Sequence, residues 1–235
     1  AGHDGELVMS DRRPLAFFDL DHTLLPIDSD QSWGDFTLQL GWVNPADFKA
    51  RNDGFYQDYV AGTLDIHAYV RFATEAICRK GQAQSLAARA RFMAEVIEPA
   101  IHTSAVQLVE RHRQQGHRLV MVSATNEFVT APIAERLGMD ALIATELERD
   151  AQGWFTGSVL GTPSLREGKV TRVQAWLAQQ GLDWADVETT FYSDSMNDLP
   201  LLAKVTQPVV TNPDARLKAE ALTRGWPILQ LFEPQ

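Results

Sequence analysis

The spacing of apolar residues changes period twice along the chain. Near the start, Leu15 to Leu25 reads LAFFDLDHTLL. Such an apolar run fits a strand buried on both faces of a parallel sheet. It ends abruptly in two carboxylates, Asp19 and Asp21, with Thr23 just behind. From Asp28 the period becomes helical. Ser29 and Asp30 are expected N-caps for a helix through Trp33, Phe36, Thr37 and Leu40, stopped at Gly41. Asn44-Pro45 opens a second helix, with proline at the first helical position. Its apolar side carries Phe48, Phe55, Tyr56, Tyr59 and Val60, and Gly62 ends it. Two further helices are predicted, from about Asp65 to Arg79 and from about Ser85 to Val96, with a break at Pro99.

From Ile101 strands alternate with helices. A helix through Val106, Leu108 and Val109 ends at Gly116, and Arg118 to Thr125, RLVMVSAT, is a second buried strand ending in polar residues. Asn126 to Leu137 is helical, Leu142 to Glu148 followed by Gly153 to Leu160 reads as a strand and hairpin, and Glu167 to Gln180 is an amphipathic helix. Thr189 to Ser193, TTFYS, is a third buried strand that runs into acid at Asp194 and Asp198. Short strands at Pro208 to Val210 and Ile228 to Leu231 flank a last helix, Asp214 to Arg224. Repeated strand–helix units predict an α/β protein with a doubly wound parallel sheet. The expected division is a discontinuous α/β core, 10–27 and 101–235, with a helical block, 28–100, inserted in it.

Composition narrows the function. At 235 residues and 45% hydrophobic, the chain is able to bury a full core. Its net charge of -10 argues against a nucleic-acid partner, which needs a basic face. A small phosphorylated metabolite needs only local positive charge and stays open. Cys78 is the single cysteine, so neither an intramolecular disulfide nor a thiolate metal cluster is possible. No signal peptide or membrane span is visible, and a cytoplasmic protein with no membrane partner is expected. Met9 is the expected natural start, and the residues before it are kept out of the fold argument. Nothing in the sequence speaks to oligomeric state.

Three buried strands finish in polar residues: Asp19 and Asp21, Ser123 and Thr125, Asp194 and Asp198. In a parallel sheet those ends converge on one edge, where ligands bind. An oxygen-only set of this kind suits Mg²⁺ better than zinc. No two histidines have metal-ligand spacing. His112 and His117, five apart, are expected on different sides of a helix and read as surface residues. Lys169, opening its helix just after Gly168, is placed to bring an ammonium to an anion at the strand ends.

These residues resemble the haloacid dehalogenase superfamily of phosphohydrolases. DLDHT at Asp19 to Thr23, Ser123 after an apolar strand, Lys169, and DSMND at Asp194 to Asp198 match its four motifs in order. The resemblance covers the chain after Met9, and the position of the cap looks like the phosphoserine-phosphatase branch. It implies a Rossmann-like core, an aspartyl phosphate on Asp19, and Asp21 as general acid and then base. It implies Mg²⁺ held by Asp19, Asp194 and the backbone carbonyl of Asp21. Lys169, the Ser123 hydroxyl and amides near Leu20 and Ala124 would cradle the phosphoryl group. Asp198, Asn197 and Thr23 would support that set.

A receiver-like signalling module also gathers aspartates, a hydroxyl and a lysine around Mg²⁺, but its acidic pair and phosphoacceptor lie on different strands and it needs no roof. A roof suits an enzyme that must exclude water. For the substrate, an acidic residue at the place of Asp28 binds the ammonium in phosphoserine phosphatases. Asp30 has the same capacity, and both are also natural helix caps. Arg51 and Arg71 are candidates for a substrate carboxylate. This chain has SAT, Ser123 to Thr125, where that branch usually carries Ser-Gly-Gly, and it adds cap aromatics Trp33, Trp42, Phe55, Tyr56 and Tyr59. Those departures look like a sister group that includes histidinol-phosphate phosphatases. Histidinol phosphate is therefore the first expected substrate and phosphoserine the second.

Overall fold

The structure, a computed structural model, describes residues 11–233, so the expectations about Met9 and residue 10 lie outside it. β1 (Arg13–Phe18) is the centre of a six-stranded sheet. It pairs in parallel with β2 (Arg118–Asn126) on one side and β6 (Val187–Ser193) on the other. β3 (Ala141–Thr145) lies outside β2, while β7 (Gln207–Thr211) and β8 (Ile228–Leu229) continue beyond β6, all parallel. The order β3-β2-β1-β6-β7-β8 reverses direction between β1 and β6, the crevice where doubly wound sheets take their ligands.

Successive β1 side chains feed opposite faces of the sheet. Leu15 and Phe17 enter one core with Val173, Leu177 and Phe191. Ala16 and Phe18 enter the other, which runs without a break into Trp33, Phe36, Ile77 and Phe92 of the inserted helices. The helices α6 (Thr103–Gln114), α7 (Glu127–Arg136), α8 (Glu167–Gln179), α9 (Leu199–Lys204) and α10 (Ala215–Arg224) connect the strands.

The inserted segment holds α1 (Ser29–Gln39), α2 (Pro45–Ala61), α3 (Ile66–Lys80) and α4 (Gln82–Phe92). α1 is capped by Asp28, one of the expected caps, and not by Ser29 or Asp30. Asp28 accepts Asp30 N and Gln31 N at 2.9 and 3.0 Å through one oxygen, whereas Ser29 and Asp30 are already helical. The Ser29 amide instead donates to Asp21 Oδ1 at 2.6 Å. Nor does Pro99 break the chain. α4 passes through a π-helical turn, Met93–Ile97, into α5 (Glu98–Ala100). Glu98 N reaches back to Met93 O, and this widened spiral admits the proline ring, which would strike the carbonyl four residues back in a regular helix.

The expected strand and hairpin divides. β3 joins the main sheet, while β4 (Leu147–Arg149) pairs antiparallel with β5 (Phe155–Val159) outside it. This hairpin braces α3, where Trp154 Nε1 donates to Ile77 O at 2.9 Å. No helix among the described residues is long and apolar enough to cross a membrane.

Candidate active site

A cavity of about 630 Å³ lies between the carboxyl ends of the strands and the inserted helices. Its floor carries Asp19, Asp21, Asp194, Asp198 and Lys169. Asp19 directly follows β1 and is nearly buried, its amide donating to Tyr192 O at 3.0 Å. The chain then closes tightly, because Leu20 O collects the amides of Thr23, Leu24 and Leu25 at 3.1, 2.9 and 3.1 Å. That closure holds His22 at φ 59, an uncommon angle for a residue with a side chain, and returns Asp21 to the cavity wall. Asn212, in the loop after β7, donates to His22 O and Thr23 O at 3.0 and 3.2 Å and so pins the loop from outside.

Thr23 joins the first and last acidic stretches. Its Oγ1 lies 3.1 Å from Asp19 Oδ2 and 3.0 Å from Asp194 Oδ1, and it accepts Asp194 N at 3.1 Å. One hydroxyl proton serves two carboxylates, so the two are close neighbours with too few donors between them. Burial, and then the Asp19 charge, push Asp194 up to about 10. Two crowded oxygen donors of this kind fit a hard divalent cation.

Lys169 is fully buried. Its Nζ lies 3.2 Å from Asp19 Oδ1, 2.9 Å from Asp198 Oδ1 and 3.3 Å from Val122 O. Burial works against its charge, but the Asp19 and Asp198 carboxylates outweigh it and raise its pKa above the ordinary lysine value. Asp198 is held in turn by Ser193 Oγ, which donates to its Oδ2 at 2.6 Å. Gly168 makes this placement possible, since a Cβ there would lie 2.2 Å from Pro163 O.

Asp21 is clamped on both oxygens, by Ser29 N at 2.6 Å and by Thr125 Oγ1 at 2.8 Å. Burial and the Asp28 charge raise it to about 8. Ser123 is buried, its Oγ accepting Thr125 N at 3.1 Å, while Ala124 and Thr125 themselves line the cavity. Asn197 meets the cap. Its amide donates to Tyr59 OH, and it accepts Arg166 Nε at 3.3 Å.

The upper wall mixes acid with aromatic rings. Asp28 and Asp30 line it beside Phe48, Phe55 and Tyr69. Asp28 spends one oxygen on capping α1, so the helix-capping and cavity readings both apply to it. Asp30 accepts Tyr69 OH at 2.5 Å, and burial with the Asp28 charge lifts its carboxyl to about 6. Tyr69 was not singled out in the sequence, where it sits at core spacing with Ile66 and Phe72. Arg51 lines the cavity but is already engaged by Glu75 at 2.7 Å and Asp47 at 3.5 Å. Arg71 faces a separate hollow beside Cys78 and Gly157. Trp33 is buried against Phe36, Phe92 and Phe128 and is core.

His112 and His117 are not apart, and both are half-buried. The helix ends at Gln114, and Gly116 at φ 78 lets the chain turn back, so His117 N bonds His112 O at 3.1 Å. The two rings meet at 2.8 Å between their Nδ1 atoms, with His112 Nε2 2.6 Å from Tyr192 OH.

The model of haloacid dehalogenase-like hydrolases matches residues 16–203. The chain is 43% identical to a histidinol-phosphatase of Neisseria meningitidis serogroup C over 92% of this chain and 97% of that one. A crystal structure of a Bordetella pertussis protein of unknown function superposes with a TM-score of 0.89 at 44% identity, covering 94% of this chain and all of that one. A phosphoserine phosphatase solved as a phospho-aspartyl intermediate analogue shares the fold, with a TM-score of 0.63 at 17% identity over 94% and 95% of the two chains. This chain belongs to the haloacid dehalogenase-like hydrolase family. Within that family it is a phosphatase, and enzymes of the family typically use Mg²⁺.

Proposed function

We propose that this phosphatase hydrolyses a small aminoalkyl phosphomonoester, histidinol phosphate first, through a phosphorylated Asp19. The observation that carries the reading is the meeting of Asp19, Asp21, Lys169 and Asp194 on one cavity floor. Asp19 attacks phosphorus in line while Asp21 gives its proton to the departing alkoxide. Asp21 then takes a proton from the water that opens the aspartyl phosphate. Lys169, the Ser123 hydroxyl and the amides of Leu20 and Ala124 bind the phosphoryl oxygens, whose transition state needs charge stabilisation. Asp198 orients Lys169, while Thr23 and Asn197 hold the loops.

Asp19, Asp194 and the Asp21 carbonyl would hold Mg²⁺, with water completing the shell. Among the described residues no three His, Cys, Asp or Glu side chains form a metal cage. When bound, the ion neutralises the carboxylates and the phosphoryl oxygens. In this reading residues 28–100 act as the cap over a core of 10–27 and 101–235, and the Tyr59–Asn197 bond is a contact between the two.

Asp28 is assigned to the substrate ammonium and the aromatic wall to the imidazole, which stacks well on such rings. The ion pairs of Arg51 favour histidinol phosphate over phosphoserine, because a substrate carboxylate would have to compete with Glu75 and Asp47. The 43% identical histidinol-phosphatase supports the same order. The test is kcat/KM for histidinol phosphate, phosphoserine and an amine-free phosphomonoester on wild type and Asp28→Asn. Losing one partner of a desolvated charge pair costs about 2–5 kcal/mol, so the amine substrates should suffer and the amine-free one should not. Equal losses on all three would leave Asp28 as a helix cap alone.

A further inference from the structure

β2 does not run straight into its loop. Its register against β3 jumps between Val122 and Asn126, a bulge of the kind that redirects a side chain beside a site. Ala124 O is tied down by Thr145 Oγ1 at 2.8 Å, and Thr125 N turns back onto Ser123 Oγ. The result places the Thr125 hydroxyl, in a residue only 7% exposed, 2.8 Å from Asp21 Oδ2. The other Asp21 oxygen accepts Ser29 N. A carboxyl group held on each oxygen by a different element has its plane fixed.

We infer that Thr125 is a positioning residue for proton donation, aiming the Asp21 carboxyl at the leaving oxygen and stabilising the carboxylate left behind. This rests on the reading of Asp21 as the proton donor. In the transfer step the bond from Asp19 to phosphorus forms and the bond from phosphorus to the substrate oxygen breaks. The electron pair leaves on that oxygen, which takes the Asp21 proton. Asp21 thereby becomes anionic, and a hydroxyl donating to an anion is a stronger bond than one donating to the neutral acid. The Thr125 bond therefore tightens as the transition state is approached, and it matters most when the leaving alkoxide most needs a proton. A β-branched residue suits a strand end, but valine would serve that purpose as well; the hydroxyl is what packing leaves unexplained.

The experiment measures kcat/KM for an alkyl phosphomonoester and for para-nitrophenyl phosphate, whose leaving group departs without a proton, on wild type, Thr125→Val, Thr125→Ser and Asp21→Asn. Thr125→Val should lose about 10- to 100-fold on the alkyl ester, the size of one hydrogen bond to a charged group, and less than about threefold on the aryl ester. Thr125→Ser, which keeps the hydroxyl, should recover most of the alkyl activity. Comparing two substrates on one preparation cancels any misfolded fraction. Equal losses on both esters, no loss on either, or failure of serine to rescue would overturn the inference. If Asp21→Asn shows the leaving-group split and Thr125→Val does not, only the inference falls. If Asp21→Asn shows no split, the assignment of Asp21 as proton donor falls with it.

Discussion

The Lys169 ammonium lies 3.2 Å from Asp19 Oδ1, although the two residues are 150 apart in sequence. Both are buried, and Asp198 closes the arrangement from the other side. The pairing fixes the orientation of Asp19, the proposed nucleophile, and carries a positive charge to the edge of the cavity. It also makes these three side chains depend on one another for stability.

Lys169→Met should therefore cost stability as well as activity. Breaking a buried pair by removing one partner leaves an uncompensated charge and typically costs about 3–5 kcal/mol. Urea unfolding of the variant should show a loss of that order, with hydrolysis reduced to background. A variant as stable as wild type would mean that Asp19 and Asp198 find other partners and that the pairing is incidental.

Gly168→Ala tests the placement of the same lysine through the backbone. The new Cβ would lie 2.2 Å from Pro163 O, an atom that moves only if the loop or the start of α8 moves. A backbone clash of this kind belongs to the short list of causes for large effects, and a loss above about 2 kcal/mol is expected. Lys169 sits next in the chain, so kcat should fall together with Tm. An unchanged kcat at lowered Tm would show that the lysine reaches Asp19 without help from this close approach.

The strands and helix that carry the chemistry were legible because short-range signals mark them. An apolar run ending in acid locates Asp19 and Asp194, and a glycine before an amphipathic helix locates Lys169. What was not legible is made by distant contacts: Thr125 on Asp21 across 104 residues, Tyr69 on Asp30 across 39, Asn212 on His22 across 190. No local pattern encodes these. His112 and His117 meet for another reason: helical spacing does not extend past Gln114, and Gly116 turns the chain back. Pro99 misled because a π-helical turn accommodates a ring that a regular helix does not.

Asp30 should give stability a distinct pH dependence. Its folded value of about 6, raised by burial and by Asp28, exceeds the ordinary carboxylate value of 3.8. Between those values the folded state holds a proton that the unfolded state has released, so this group's contribution to stability falls as pH rises through the window and levels off above it. Asp30→Asn keeps an acceptor for Tyr69 and removes the penalty. The variant should match wild type near about pH 4 and exceed it above about pH 6, by at most about 3 kcal/mol. Equal stability at neutral pH would show that burial of this carboxylate carries no cost.

Mg²⁺ should raise thermal stability as well as support turnover. Asp19 and Asp194 share one hydroxyl, and a cation that binds the folded state relieves their repulsion. At about 100 times its Kd a ligand adds about 2.7 kcal/mol. Chelation should abolish hydrolysis reversibly and lower Tm, and Asp194→Asn should blunt the Tm response. A Tm indifferent to Mg²⁺ in wild type would argue against a cation between these carboxylates.

In the proposed reaction the phosphoryl group passes through Asp19. Acid-quenching the enzyme during turnover of a phosphate-labelled monoester, followed by peptide mapping, tests it most directly. Wild type should carry label on the peptide containing Asp19, lost on treatment with hydroxylamine as expected for an acyl phosphate. Asp19→Asn should carry none and lose at least about 10³ in kcat, by analogy with catalytic units whose members act jointly. Label on another residue, or Asp19→Asn turning over at a near-normal rate, would contradict the account.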